Sequence, residues 1–248
     1  MNTWLFDLGN TRLKFAPLHD GAAGDVVAVA HDGIAFESGW EARLPAGIDS
    51  ACVATVAGQA LSSRLSAALD ARGVQVSTVC TEASLAGVRI AYARPERLGV
   101  DRFLALIAAH ARAPGPVLVV GVGTALTVDL LDADGLHRGG RIAPSPALMR
   151  EALHARASVL PSTGGEYREF AADTDDALAS GCEGAALGLV ARSLEEATQL
   201  LHDSAPTLLL HGGGAPQLLS RLPGAVHMPA LVLQGLAQWA SAKQRAGR

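Results

Sequence analysis

Lysine is almost missing from this chain: Lys14 and Lys243 are the only two, and arginine carries the remaining side-chain positive charge. A Walker-type phosphate loop needs a lysine directly after its glycine run, so that route to nucleotide binding is excluded. No GxGxxG fingerprint replaces it. Cysteine is scarce as well. Cys52, Cys80 and Cys182 are odd in number and far apart, with neither CxxC nor metal-ligand spacing, which reads as reduced core thiols rather than a disulfide framework. The eight histidines form no HExxH and no paired spacing, so each reads as a surface or helix-end residue. The longest apolar run, residues 117–128, is interrupted by glycine and threonine and is too short to cross a bilayer. The N-terminus carries no basic n-region and starts directly with a strand, so no signal peptide is expected and a cytoplasmic location is. The net charge of −4 is dispersed, with no basic stripe, so neither nucleic acid nor membrane is expected as a partner.

What is present suffices for a large core. Of the 248 residues 49% are hydrophobic, enough for one large domain or two of about 120 residues. Residues 3–7 and 12–17 read as strands joined by a Gly-Asn-Thr turn, with 26–31 as a third. Residues 51–56 and 74–80 read as strands around a helix over 59–72, where Leu61, Leu65, Ala68 and Leu69 follow helical spacing. This alternation predicts an α/β layer structure. A helix over 104–113 is stopped by Ala113-Pro114-Gly115-Pro116, and the domain boundary is placed there, giving domains 1–114 and 115–248. The second half opens as the first does: strand 117–121, a Gly123-Thr124 turn, strand 126–131, the turn Ala133-Asp134-Gly135 and strand 136–142. Helices are expected over 146–156 and most of 173–202, then strand 207–211, a triple glycine (212–214), a short helix and a last helix from Ala230. Gly181, Gly184 and Gly188 fall near one face of the long helix and suggest close helix–helix approach.

Chemistry concentrates in a few short stretches. Asp7-Leu8-Gly9-Asn10-Thr11 ends a strand in a turn rich in backbone N–H groups and short polar side chains, which is an anion cradle. An acid at that strand end suits a hydrated Mg²⁺ beside phosphates, and Lys14 adds positive charge. The same residues also serve as an ordinary hairpin. Gly121-Val122-Gly123-Thr124 repeats the strand–turn–strand pattern, and two such hairpins suit a polyphosphate clamp across an interdomain cleft. In Leu98-Gly99-Val100-Asp101-Arg102, before a helix, Asp101 reads either as an N-cap or as a general base, and Arg102 as a fork for a substrate carboxylate. The glycines of Gly139-Gly140-Arg141-Ile142-Ala143-Pro144 permit close approach of a backbone or ligand. The triple glycine either admits a flat group such as adenine or is a plain strand–helix connection.

DLGNT, GVDR, GTALTVD, GGRIAP and the threonine of ADTDDALASG occur in this order along nearly the whole chain. The ordered set resembles type III pantothenate kinases. The resemblance implies two ribonuclease H-like α/β domains of the acetate and sugar kinase/Hsp70/actin type. It implies transfer of the ATP γ-phosphoryl group to pantothenate, the first step toward coenzyme A. Carried onto this sequence, Asp7, Leu8, Gly9, Asn10, Thr11, Arg12, Leu13 and Lys14 would bind ATP, with Asp7 near Mg²⁺ through water, and Thr124 would touch the nucleotide. Tyr92, Gly99, Val100, Asp101 and Arg102 would contact pantothenate, with Asp101 as proton acceptor. Thr174 would reach the substrate from the partner subunit of a homodimer. The family usually carries an acid two residues before the second Gly-Thr, where it helps hold K⁺ or NH₄⁺. Here that residue is Gly121, so such an ion would need another group, such as Asp129 or a backbone carbonyl. Two rival readings stand beside this one: another small-molecule kinase of the same fold, and a non-catalytic regulatory accessory factor.

Overall fold

The computed structural model describes residues 2–202 and 204–246. They form two compact units. Met1–Arg112, Gly135–His137 and Ala230–Arg248 make the first, and Ala113–Asp134 with Arg138–Pro229 the second.

In the first unit, β1 (Thr3–Leu8) pairs antiparallel with β2 (Arg12–His19), Asp7 lying opposite Lys14. Short β3 (Ala22–Ala23) and β4 (Val27–Ala30) continue from β2. On the other side, β5 (Ser50–Thr55) runs parallel to β1, and β6 (Gln75–Thr78) runs parallel to β5. The period-2 rule then assigns the two faces. Phe6, Leu8, Leu13 and Phe15 pack with Leu61, Leu65, Ala68 and Leu69 of α1 (Gln59–Asp70), with Phe6 and Phe15 stacked at 5.5 Å. The alternate face carries Leu5 and Asp7. A hairpin of β7 (Ser84–Leu85) and β8 (Val88–Arg89) leads to α2 (Val100–Arg112).

α2 is apolar nearly all round, and Phe103 to Ala109 are buried, so it needs cover beyond the sheet. The last helix supplies it. Gly235 of that helix sits against the Leu104 backbone so closely that a Cβ would overlap the Leu104 carbonyl. The helix is anchored further by Glu82, which accepts from Trp239 Nε1 at 3.2 Å and from Lys243 Nζ at 2.7 Å.

The second unit repeats the plan. β9 (Val117–Val122), β10 (Ala125–Leu131) and β11 (His137–Pro144) form an antiparallel run, and β12 (Thr207–His211) and β13 (Val226–His227) add to β9 in parallel. The sheet orders are β3-β2-β1-β5-β6, with β4 also on β2, and β11-β10-β9-β12-β13, so each sheet has an antiparallel opening followed by two parallel strands. One face packs Leu118, Val120 and Val122 against Ala186 and Val190 of α4 (Thr174–Leu200). Before it comes α3 (Pro146–Arg156), capped by Ser145, whose Oγ accepts from the Leu148 N–H. α5 (Ala215–Leu219) follows β12, and α6 (Leu231–Ala246) is the closing helix of the first unit.

Three sequence expectations are corrected. α2 begins at Val100, four residues before the expected start, because its first turn is carried by Val100, Asp101 and Arg102 rather than by a loop. Among the described residues the glycines of α4 make no close helix contact within the chain: a Cβ at Gly181 or Gly188 would meet nothing within 4 Å, and one at Gly184 only the Tyr167 ring. Of the three free thiols, Cys52 and Cys182 are buried as expected, but Cys80 is exposed.

Candidate active site

The turn after β1 is built from Gly9, whose N–H donates to the Arg12 carbonyl at 3.1 Å. Asn10, Thr11 and Arg12 are exposed at its tip. Asp7, one pleat behind, is buried with 8% of its surface exposed. Its register partner Lys14 shares its face of the sheet. Burial pushes the Asp7 carboxyl up from 3.8 to about 7; Lys14 opposes this and the Asp101 carboxylate adds to it. The two acids are therefore electrostatic neighbours, although 94 residues separate them in sequence. Packing brings them together: α2 covers the sheet beside β5, and Asp101 stands in its first turn.

Asp101 is not an N-cap. Its Oδ1 accepts from the N–H of the next residue, Arg102, at 2.9 Å, and it leans over Gly99, where a Cβ would lie 2.7 Å from that oxygen. Glycine at 99 is thus what leaves the carboxylate room. The loop before it is held by Thr81 Oγ1, which donates to the Leu98 carbonyl at 2.8 Å. Arg102 is buried and points its Nη1 at the Tyr92 hydroxyl at 3.4 Å. Tyr92 stacks on His137, with ring centroids 5.9 Å apart. His137 is fully buried, which corrects the expectation that every histidine lies at the surface or a helix end. It arrives from the β10–β11 hairpin, whose Gly135 carbonyl accepts from the Arg89 N–H at 2.8 Å. Thr81 and His137 carry no local sequence signal; only a contact across the fold reveals them.

In the second unit, the Gly123 N–H donates to the Ala125 carbonyl at 2.9 Å, so this turn is the counterpart of the one at Gly9. Thr124 sits at its tip, and its carbonyl accepts from the Ser145 N–H at 3.4 Å. Asp129 is buried on β10, on the same face as Thr127 and Gly121. Thr174 is exposed as the first residue of α4, just after the N-cap Asp173. Gly212 and Gly214 lie tight on Val122, and the Gly214 N–H donates to the Val122 carbonyl at 2.9 Å, while Gly213 faces open space. Gly139 has open space where a Cβ would be.

A family model described as type III pantothenate kinase matches residues 4–196. The chain belongs to the type III pantothenate kinase family. A type III pantothenate kinase of Stenotrophomonas maltophilia (strain K279a) is 60% identical over 240 residues, covering 97% of this chain and 98% of the relative. One of Xanthomonas oryzae pv. oryzae (strain PXO99A) is 59% identical over 243 residues, 98% of either chain. Among solved structures, a Campylobacter jejuni protein assigned to the Baf family superposes with a TM-score of 0.60 at 19% identity, over 99% of this chain and all of that one. The activator of 2-hydroxyisocaproyl-CoA dehydratase from Clostridium difficile, with bound ADPNP, gives 0.51 at 11% identity, over 100% and 97%. The fold is shared with both of these solved structures.

Position 121 of this type III pantothenate kinase is closely surrounded. A Cβ there would meet Thr127 Oγ1 at 2.7 Å and His211 Nε2 at 2.9 Å. These two residues flank Gly121 in register on either neighbouring strand.

Proposed function

We propose that the chain transfers the γ-phosphoryl group of ATP to the primary hydroxyl of pantothenate, giving 4′-phosphopantothenate and ADP. The observation that carries this is the electrostatic pairing of Asp7, on the strand that leads into the Gly9–Thr11 turn, with Asp101, whose chain neighbour Arg102 reaches the Tyr92 hydroxyl. Phosphoryl transfer is catalysed chiefly by positioning and charge neutralisation, so a fold can perform it without a Walker lysine. Residues Asp7 to Lys14 grip the triphosphate. Asp101 accepts the hydroxyl proton as the oxygen attacks phosphorus and ADP leaves. Arg102 and Tyr92 orient pantothenate, the guanidinium facing its carboxylate.

The Asp7 carboxylate is a hard oxygen donor of the kind Mg²⁺ takes together with water and phosphate oxygens. When bound, Mg²⁺ supplies charge neutralisation on the phosphates.

The functional form is a homodimer in this reading. In the second unit α3 and α4 leave an apolar groove of about 630 Å³ lined by Leu148, Met149, Ala152, Ala177, Leu178 and Cys182. In the connection between the two helices Phe170 is fully exposed and Val159 is 85% exposed. An apolar surface of that kind calls for a partner, and Thr174 stands one helical turn from Ala177 and Leu178.

A coupled ADP-release assay tests the proposal. ADP should appear only when pantothenate and ATP are both present. Release at the same rate without pantothenate, or none with it, overturns the reading. The same assay in sodium, potassium and ammonium salts decides the cation question.

A further inference from the structure

His31 follows β4 and lies beside the turn after β1, because β4 pairs with β2 in a register that sets Ala30 opposite Arg12. Its backbone N–H donates to the Thr11 carbonyl at 3.4 Å. Its side chain reaches further. Nε2 lies 3.0 Å from the Gly9 carbonyl oxygen, and the Gly33 N–H points at Nδ1 from 3.2 Å. A carbonyl only accepts and an amide N–H only donates, so the tautomer carrying hydrogen on Nε2 satisfies both contacts. The ring is aimed by the core. It stands edge-on to Phe36, with centroids 5.8 Å apart at 89°, and Phe36 in turn packs on Trp40. The Oδ1 of neighbouring Asp32 accepts from the N–H groups of Ile34 and Ala35.

We propose that His31 is a positioning residue for the phosphate-binding turn, fixing the Gly9 peptide by donating from Nε2 to its carbonyl. Gly9 is then held at both polar atoms, its N–H on Arg12 and its carbonyl on His31. Asn10 and Thr11 at the exposed tip are presented in one arrangement instead of several. Preorganised donors bind an anion without paying for their own ordering. The inference rests on the assignment of residues 7–14 to ATP.

Two substitutions separate the side chain's contacts. His31→Asn keeps an acceptor near the Nδ1 position for Gly33 but is too short to reach Gly9. His31→Gln carries a donor out to the position of Nε2. The expected result for His31→Asn is a KM for ATP raised about tenfold, as for one lost hydrogen bond in a preorganised turn, with the KM for pantothenate and the melting temperature close to wild type. His31→Gln should bring the KM for ATP back to within about twofold. An unchanged KM for ATP in His31→Asn overturns the proposal. So does a rise in both KM values together with a lowered melting temperature that Gln fails to correct, or loss of folding in both variants, since the ring then acts only as packing. A parallel Asn10→Ala/Thr11→Ala double variant checks the assignment beneath it: if its KM for ATP is unchanged, the turn is not the phosphate site, whereas a raised value with unaffected His31 variants sinks only the role of His31.

Discussion

A carboxylate withdrawn from water beside a second carboxylate keeps its proton longer, and Asp7 is in that position. Its raised value of about 7 against an ordinary 3.8 has a consequence for stability. Between about pH 4 and 7 the folded chain holds a proton that the unfolded chain has released, so rising pH across that window favours unfolding. Asp7→Asn removes the effect. In melts without nucleotide, the variant should exceed wild type by roughly 5 °C at pH 8, and the gap should close toward pH 4; a constant gap would place the effect elsewhere. Asp101 carries a sharper expectation. Asp101→Asn retains the N–H contact geometry but cannot take a proton, so kcat should fall by about 10²–10⁴ with an unchanged melting temperature. Near-normal turnover would remove it from that role. Gly99→Ala should lower kcat by about tenfold or more while sparing the KM for ATP, because the methyl displaces the Asp101 carboxylate by an ångström or so. A raised KM for ATP with normal kcat would contradict this.

At the scale of elements, the site depends on α2, and α2 depends on α6. The helices meet where Gly235 lies on the Leu104 backbone, and no side chain fits there without driving them apart. Gly235→Ala should therefore destabilise the first unit by about 1–3 kcal/mol, read as a lowered urea midpoint. Because α2 carries Asp101, kcat should fall with it. Stability unchanged within error would mean the helices shift freely. Most of these elements were legible in sequence: the two strand–turn–strand openings, α1, α3 and β12 fall close to the residues where pattern and punctuation predict them. The start of α2 was not. Leu98-Gly99 reads as the end of a loop, and propensity alone does not say that a helix begins directly after it.

At the scale of the whole molecule, the α3–α4 groove and the exposed Phe170 lead to a test of assembly. Met149→Asp combined with Phe170→Ser should shift the chain in sedimentation from twice its 25.4 kDa mass to that mass, and the KM for pantothenate should rise as Thr174 of the other subunit is lost. A wild-type chain that already sediments at the single-chain mass would sink the dimer. Among the described residues no helix is long and apolar enough to cross a membrane.

The sequence by itself determined the fold class, the paired openings of the two halves and the short stretches where chemistry concentrates, because strand alternation, turn residues and motif order are local properties of the chain. Only the tertiary structure decided which residues act together. Asp7 and Asp101 become neighbours through the packing of a helix on a sheet. His137 comes under Tyr92 from a distant hairpin, His31 reaches Gly9 across a strand pair, and Gly121 is enclosed by Thr127 and His211 from two flanking strands. Contacts of that kind are set by register and packing, which no short window of sequence contains.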